Sequence, residues 1–331
     1  MIRYGILGFG LHAVKRLMPG FTQAQHCTVT GLWRRDQQKA QDAVRQYRQF
    51  PLRAYDSPEA LCSSSEIDAI FVASPDALHL EHALIALKHN KAVLCEKPMA
   101  MSVAECEGMI EAADRQGVLL AIAQNFRFER SVNRMREMVA TEAIGKPLLA
   151  QSEFHYPALH SPRTWIADAS LACGGPIGDV AVHCIDALRY ILQDEVASVF
   201  SRGQHDEHSG RLESAAILLL EFQKGTIANV TVSARSDYRT PLWITGDRGL
   251  LGAEDALTVE HPITLQLKPA AGDPVTEQVS NESAYADQVD AFALSIQQGV
   301  PFAAPGIEGL RNQRVLDAAY RSLESGIPQK L

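Results

Sequence analysis

Short apolar runs alternate with longer helix-favouring segments over the first 124 residues of the chain. The apolar runs are IRYGILG, CTVTGLW, DAIFVA, KAVLC and VLLAIA, and each has the length of a buried parallel strand. Helical spacing of apolar residues separates them at 13–18, 37–49, 77–88 and 103–115. Pro19 and Gly20 are expected to end the first of these helices. The alternation predicts βαβ units and a parallel sheet.

The pattern changes after about Gln124. A helix at 129–140, a strand in LLAQSEFHY and a helix at 179–192 come first. Two strands joined by a QKG turn follow, then one further strand with glycine-marked turns in LWITGDRGLLG, and then helical stretches at 284–297 and 306–324. This order predicts an α+β unit with a mixed sheet covered by helices on one side. We therefore predict an α/β protein with two domains, 1–124 and 125–331.

Composition narrows the class of partner. The 331 residues are 46% hydrophobic and carry a formal net charge of −8, which argues against a nucleic acid or an anionic membrane surface. Six scattered cysteines with no CxxC pair indicate reduced thiols. No apolar run reaches the roughly 18 residues of a membrane span, and no cleavable leader precedes YGILGFG. We expect a cytoplasmic protein.

The first predicted strand leads into Gly8-Phe9-Gly10-Leu11-His12-Ala13, which matches G-x-G-x-x-A. In this pattern the first glycine makes the tight turn, the second admits a pyrophosphate, and the small third residue lets helix and strand pack closely. The N-terminus of the following helix favours an anion. Because the motif lies between a strand and a helix, it predicts a Rossmann domain that binds a dinucleotide.

The second predicted strand ends in Trp33-Arg34-Arg35-Asp36. An acidic residue at this place usually binds the ribose hydroxyls of NAD, whereas a guanidinium pairs with the 2′-phosphate of NADP. The two arginines come first, so we favour NADP(H) over NAD(H). The alternative is that both arginines are solvated and that Asp36 holds the ribose.

The stretch GGPIGDVAVHCIDALRY carries Asp179, His183 and Asp186 within an apolar helix. Asp179 and His183 are four residues apart and therefore lie on one helical face, with Asp186 on roughly the same side. We interpret this face as the lining of a cleft. No third strong ligand beyond Asp186 is present on this helix, so a metal site is not expected.

Several stretches together resemble the Gfo/Idh/MocA oxidoreductases, the group that contains glucose–fructose oxidoreductase and inositol dehydrogenase. They are GFGLHA, SPDALHLEHALIALKHNKAVLCEKPMA, NFRFERS and GGPIGDVAVHCID, and they span nearly the whole chain. The resemblance implies a C-terminal domain with an open, mainly antiparallel sheet, which helps to form the substrate cleft and often supplies an oligomer interface. We therefore expect a homodimer or a homotetramer.

The resemblance also implies site residues. Lys97 would lie beside the nicotinamide, with a Lys97–Pro98 bond that is often cis in the family. His183 would exchange the hydroxyl proton, Lys97 would stabilise the reacting oxygen, and Asp179 would bind a substrate hydroxyl, although Lys97 serves as the proton donor in the alternative. Further expected cofactor contacts are Ser74, Pro75, His79 and Glu96. Expected substrate contacts are Asn125, Arg127, Arg163, Trp165 and Asp186, although Arg127 can instead form an interdomain salt bridge and Trp165 can instead pack against its neighbours.

These expectations describe an NAD(P)-dependent oxidoreductase that acts on the CH–OH group of a sugar, a polyol or a related small molecule. One alternative is a glycosidase that retains its nicotinamide and recycles the hydride. A second is a non-catalytic NADP-binding sensor. The joint presence of Lys97, Asp179 and His183 argues against a sensor, because a binding module needs no proton-transfer set.

Overall fold

A computed structural model describes all 331 residues of the chain, which form two compact units. The first unit comprises residues 1–125 and 285–313, and the second comprises 126–284 and 314–331. Residues 285–313 thus lie with the first unit, although the sequence analysis placed them in the second domain. Tyr4 donates its hydroxyl to the carbonyl of Val289 at 2.9 Å, and the Asp290 carboxylate accepts the N–H groups of Gln25 and His26. These partners are more than 260 residues away in sequence, so local periodicity could not reveal them.

The first unit contains a six-stranded sheet in the order β3-β2-β1-β4-β5-β6, and all its paired strands are parallel. The five predicted strands are confirmed, and a sixth, two-residue strand joins the edge. The strands are β1 (Ile2–Leu7), β2 (Cys27–Trp33), β3 (Arg53–Ala54), β4 (Ala69–Val72), β5 (Ala92–Cys95) and β6 (Leu120–Ile122). Every residue of β4 and β5 is buried, as expected for central strands covered on both faces.

Helices separate these strands. They are α1 (Met18–Gln23), α2 (Gln37–Gln46), α3 (Pro58–Cys62), α4 (His79–Lys88) and α5 (Val103–Gln116), and α8 (Ala284–Gln298) follows much later in the chain. A π-helical turn, Ala13–Leu17, runs directly into α1. The prediction that Pro19 and Gly20 end the first helix is therefore wrong. Pro19 lies in the first turn of α1, where its missing N–H costs nothing. A Cβ on Gly20 would come 2.9 Å from the Cβ of Tyr285, so the glycine allows α8 to pack closely.

The second unit contains a nine-stranded sheet in the order β14-β13-β12-β11-β7-β10-β9-β8-β15. Only β7 and β10 pair in parallel, so the open, mainly antiparallel sheet is confirmed. The strands are β7 (Pro147–His155), β8 (Val196–Gln204), β9 (Ala215–Phe222), β10 (Ile227–Ser233), β11 (Leu242–Gly246), β12 (Gly249–Ala253), β13 (Ile263–Pro269), β14 (Val275–Val279) and β15 (Gln329–Lys330). Strands β8, β13, β14 and β15 were not predicted, and LWITGDRGLLG, predicted to contain one strand, forms the antiparallel pair β11 and β12.

One face of this sheet and the helices α6 (Arg130–Ala140) and α7 (Val182–Leu192) form the core of the second unit, together with the last turns of α9 (Gly306–Ser325). Strand β9 alternates strictly: Leu218, Leu220 and Phe222 are buried, whereas Ile217 and Leu219 are exposed. None of the six cysteines forms a disulfide, and no helix is long and apolar enough to cross a membrane.

Candidate active site

Four parallel strands of the first unit end side by side. Leu7, the last residue of β1, pairs with Trp33 and Val72, and Val72 pairs with Cys95. The segments that follow these strands therefore meet at one edge of the sheet. Ligands of open α/β sheets bind outside the carboxyl ends of the strands, so this edge is the expected position of the dinucleotide.

Gly8 makes the turn that follows β1. Its φ is +88°, and a Cβ there would lie 2.4 Å from the backbone nitrogen of Ser74. The N–H groups of Gly8 and Phe9 both donate to the carbonyl of Trp33, at 3.0 and 3.2 Å. Any other residue at position 8 would separate the ends of β1 and β4, so the first motif glycine is required by packing as well as by conformation.

The rest of the motif fits a bound dinucleotide. A Cβ on Gly10 would meet nothing closer than the carbonyl oxygen of Gly8 at 3.9 Å, so the backbone here is open to a ligand. Ala13 is fully buried, as close packing of helix and strand requires. The side chain of Phe9 is also buried and lies edge-on to Tyr47, with ring centroids 6.0 Å apart. Any cofactor contact of Phe9 must therefore come from its backbone.

Asp36 is the N-cap of helix α2. Its carboxylate accepts the backbone N–H of Lys39 at 3.0 Å and lies 3.5 Å from the Lys39 ammonium. The hydrogen bond from the Lys39 backbone N–H and the positive charge of the Lys39 side chain lower the pKa of Asp36. The carboxylate that could have held a ribose is thus engaged in capping, whereas Arg34 and Arg35 lie partly or fully exposed just beyond the end of β2.

Glu96 follows β5, and one of its carboxylate oxygens lies 2.8 Å from Nε2 of His12 in the glycine motif. Burial raises the pKa of Glu96, but the charges of His12, Lys97 and His79 outweigh burial and hold it below its ordinary value. The adjacent Lys97 is half-buried and is joined to Pro98 by a cis peptide bond, as the resemblance implied. Lys97 is therefore fixed at the same sheet edge as the glycine turn.

His79 binds backbone groups rather than solvent. It is 1% exposed, and its two ring nitrogens lie 2.9 Å from the carbonyl oxygens of Pro98 and Ser74. Direct cofactor contact through this ring, as the sequence predicted, is excluded by these two contacts. The ring instead ties the segment after β4 to the segment that carries Lys97.

His82 lies on the buried face of α4. The side chain is 2% exposed, its Nδ1 lies 2.9 Å from the Ser74 hydroxyl, and its ring packs edge-on to Trp33. Burial and the nearby His79 lower the pKa of His82 to about 4, so the imidazole is neutral at physiological pH. Ser74 thus serves as the centre of a histidine network beside Pro75.

In the second unit, His183 lies in the first turn of α7, directly after a π-helical turn, Ile177–Ala181. Its ring stands edge-on to Phe126 at 5.0 Å and stacks on Phe154 at 5.8 Å. The imidazole is 9% exposed. Two aromatic rings therefore fix its orientation, and π-bulges of this kind are frequent at functional sites.

Asp179 lies within the π-helical turn. Its carboxylate accepts the Tyr156 hydroxyl and both terminal nitrogens of Arg163, at 3.4 and 3.1 Å. Burial and the Asp179 charge raise the pKa of Tyr156, so this phenol stays protonated and donates. The carboxylate is thus held by two donors from a neighbouring strand end and loop.

Asp186 and Arg127 do not line a cleft. The Arg127 guanidinium binds the Asp186 carboxylate through two hydrogen bonds of 2.7 and 2.9 Å, and the two side chains are 5% and 1% exposed. Arg189 lies 3.8 Å from the same carboxylate. The substrate role predicted for Arg127 and Asp186 is therefore replaced by a buried ion pair, whose loss on one side would be strongly destabilising.

The other predicted substrate residues are spread along the chain. Arg163 and Trp165 lie on a segment that includes the short helix Thr164–Ala167, and both are half-buried. Asn125 ends the first unit and is 5% exposed, with an amide nitrogen that has no hydrogen-bond partner. No group of three or more His, Cys, Asp or Glu side chains is arranged to hold a metal ion.

Glu213, which the sequence did not single out, holds the start of the Asp179 segment. Its carboxylate accepts the N–H groups of Gly175 and Ile177 and the hydroxyl of Tyr320. A Cβ on Gly174 would come 1.6 Å from the Tyr320 oxygen, and one on Gly175 would come 2.1 Å from the Glu213 carbonyl oxygen. The paired glycines were the only sequence signal, and their partners come from the segment before β9 and from α9.

The parallel sheet, its glycine turn and the polar strand ends define an NAD(P)-dependent oxidoreductase. Residues 2–124 match the oxidoreductase family with an NAD-binding Rossmann fold, and residues 132–252 match the GFO/IDH/MocA C-terminal domain. The chain therefore belongs to the Gfo/Idh/MocA family, and the resemblance seen in the sequence is confirmed.

Relatives share the full length of the chain. A D-xylose 1-dehydrogenase (NADP(+)) of Haloferax volcanii is 28% identical and covers 99% of each chain. The myo-inositol 2-dehydrogenase of Thermotoga maritima is 28% identical over 84% of each chain. Among solved structures, an aldose-aldose oxidoreductase of Caulobacter crescentus, complexed with glycerol, has a TM-score of 0.90 and 26% identity, and the match covers 100% of this chain and 99% of that one.

Proposed function

We propose that the chain is an NADP(H)-dependent oxidoreductase that transfers hydride between C4 of the nicotinamide and a carbinol or carbonyl carbon of a sugar or polyol. The observation that carries the proposal is the arrangement around His183, an imidazole oriented by Phe126 and Phe154 one turn after the tethered carboxylate of Asp179. The names of the xylose and inositol dehydrogenases support the substrate class.

A bound nicotinamide supplies the hydride acceptor or donor. During oxidation, neutral His183 takes the hydroxyl proton, a role that suits imidazole because its ordinary pKa lies near neutrality. The Lys97 ammonium hydrogen-bonds the reacting oxygen and stabilises its developing negative charge. Asp179 keeps Tyr156 and Arg163 in place and offers its remaining lone pairs to a substrate hydroxyl. Carbonyl reduction uses the same groups in reverse.

The absorbance of reduced nicotinamide tests this proposal. The chain is mixed with NADP+ or NAD+ and a panel of sugars and polyols, beginning with D-xylose and myo-inositol, and with NADPH and the corresponding ketones. Product formation in step with the absorbance change supports an oxidoreductase. Hydrolysis of a glycoside without net absorbance change would instead identify a glycosidase that recycles its hydride, and the absence of any product would identify a sensor.

Preference for NADP(H) is proposed from Arg34 and Arg35, since the competing carboxylate of Asp36 caps α2. Replacing both arginines by alanine should raise the dissociation constant of NADPH by about tenfold or more, because charge-assisted hydrogen bonds are worth ~1.5–3 kcal/mol. The dissociation constant of NADH should change much less. Fluorescence titration of both cofactors measures the two effects.

The matched control replaces Arg45 and Arg48 by alanine. This change removes the same amount of positive charge near the C-terminal end of α2. It should leave both cofactors bound as in the parent chain. Equal weakening of NADPH and NADH by the Arg34 and Arg35 replacements would overturn the phosphate assignment.

A homodimer or homotetramer is proposed from the outer face of the nine-stranded sheet. Phe200, Leu219, Asn229, Gln151 and Trp243 are successive register partners across five strands and so form one row on this face. Leu219 is 44% exposed, and neighbouring Ile217 is 55% exposed. Exposed apolar side chains grouped in this way can mark an interaction surface, and the same face of a second copy would cover them.

Leu219→Arg should therefore convert the oligomer to monomer, because burying a charged side chain in the interface carries a desolvation cost. Sedimentation velocity measures the change. Leu84→Arg, which alters an exposed leucine of α4 in the first unit, serves as the control and should leave the oligomer intact. A Leu219→Arg protein that sediments like the parent would rule out this face as the interface.

A further inference from the structure

We propose that a cavity in the second unit binds an uncharged ring attached to the substrate, either an aglycone or a second sugar residue. The proposal rests on the proposed function, since it extends the substrate beyond the reacting carbon. Asp179 and Tyr156 lie on the wall of this cavity, so it adjoins the carboxylate that we assign to substrate binding.

The size of the cavity limits its occupant. It offers about 80 Å³ to water-sized groups and opens to solvent. A cavity of ~150 Å³ encloses a benzene ring, so this one can enclose about half of such a ring. The rest of the ring and its substituents would lie in the opening to solvent.

Apolar side chains form much of the lining. The apolar residues are Ala158, Leu159, Ile166, Ala167, Leu212 and Ala234. Ligand sites typically combine such a lining with a few fixed polar groups. The apolar face of an aromatic or pyranose ring matches this surface.

The charged groups of the wall already have partners within the second unit. Arg163 neutralises Asp179 at 3.1 Å, and Arg235 binds the Asp206 carboxylate at 2.6 and 3.1 Å. The Glu213 carboxylate is occupied by two backbone N–H groups and the Tyr320 hydroxyl. His208 lies at the exposed rim, 3.3 Å from Glu207.

Every charged group that a charged substituent could pair with is therefore already bound to another residue. To bind a phosphate or carboxylate, the cavity would have to break the Arg235–Asp206 pair or the Arg163–Asp179 pair, and each carboxylate left behind would repel the ligand. An ammonium group would have to displace the donors that surround Glu213 or Asp179. An uncharged ring requires neither rearrangement, so the lining selects against both signs of charge.

Calorimetry on the full chain saturated with NADP+ tests the proposal. The ligands are D-glucose, phenyl β-D-glucopyranoside, cellobiose, and phenyl glucosides that carry a 4-carboxylate or a 4-aminomethyl group, with the same series built on D-xylose and D-galactose. In at least one of the three series, we expect an added uncharged ring to lower the dissociation constant about tenfold relative to the parent sugar. The ring can be the phenyl group or the second sugar. Comparing the phenyl glucoside with cellobiose identifies which ring is preferred. The two charged analogues should bind no more tightly than the parent sugar.

A pair of variants ties the gain to this cavity. Ala167 lines it, whereas Ala169 lies two residues further along the same segment, is exposed and does not line it. Ala167→Phe should fill the space and abolish the advantage of the ring while leaving the parent sugar bound as before. Ala169→Phe should keep the advantage.

Three results would overturn the assignment: no advantage of an added ring in any series, a charged analogue that binds as tightly as the phenyl glucoside, or an advantage that survives Ala167→Phe. The failure of the proposed function is a separate observation. In that case the ring advantage appears in calorimetry, but no sugar, polyol or ketone changes the absorbance of reduced nicotinamide.

Discussion

His183→Ala is expected to lower kcat by about a hundredfold or more, because the general acid and base of a hydride transfer contribute ~10²–10⁴ to the rate. The dissociation constant of NADPH should stay within about threefold of the parent value, since His183 belongs to the second unit and the dinucleotide turn to the first. Steady-state kinetics and cofactor titration measure the two quantities. His160→Ala, at an exposed histidine of the same unit, should retain full turnover.

Loss of packing is the competing explanation for such an effect, because the imidazole fills the space between Phe126 and Phe154. His183→Phe keeps an aromatic ring there and removes only the proton-transfer group. If catalysis needs the imidazole, both variants lose turnover. His183→Phe should do so even if its thermal unfolding midpoint equals that of the parent chain. Turnover by either variant close to that of the parent chain would remove His183 from the proton-transfer step.

Most of the first unit could be predicted because its strands are short, mainly buried and separated by helices. Residues of β4 and β5 are apolar throughout, and such runs mark strands of a parallel sheet wherever they occur. The sequence did not predict that residues 285–313 belong to the first unit. This placement depends on the pairing of Asp290 with the backbone of Gln25 and His26, which leaves no periodic pattern in either segment.

Strands of the second unit differ in how well sequence reveals them. In β9 and β10 one face is buried and the other is exposed, so apolar and polar positions alternate clearly around the QKG turn. Strand β8 reads VASVFSRGQ, where serine and glycine interrupt the alternation and Ser201 is fully buried against the carbonyl of Ala319. A buried polar residue whose hydrogen-bond partner lies in a distant helix cannot be distinguished from a loop residue in the sequence.

Spacing predicted which ionisable side chains share the α7 region but not what they do. Asp179, His183 and Asp186 have different neighbours: a tyrosine and an arginine bind the first, two aromatic rings surround the second, and Arg127 neutralises the third. Those neighbours come from β7, from the segment before α6 and from the long segment after β7. Helical periodicity places a residue on a face, whereas the tertiary structure decides whether that face meets a partner or a ligand.

Lys97→Met is expected to lower kcat by ~10²–10³, the usual cost of removing a donor that stabilises a developing oxyanion. Methionine keeps most of the apolar stem, so the cis bond to Pro98 and the contacts of His79 with Pro98 and Ser74 can persist. Lys88→Met, at an exposed lysine at the end of α4, should have the kinetics of the parent. A Lys97→Met enzyme that turns over like the parent would exclude a role for the ammonium in the chemical step.

The double variant Lys97→Met with His183→Ala decides how the two groups divide the proton transfer. If they act on the same oxygen in one step, the double variant should be little slower than the slower single variant, because groups that act as a unit have strongly non-additive effects. If Lys97 is itself the proton donor, kcat should fall much further in Lys97→Met than in His183→Ala. Fully multiplicative losses would mean that the two residues serve separate steps, and the shared-oxygen mechanism would then be wrong.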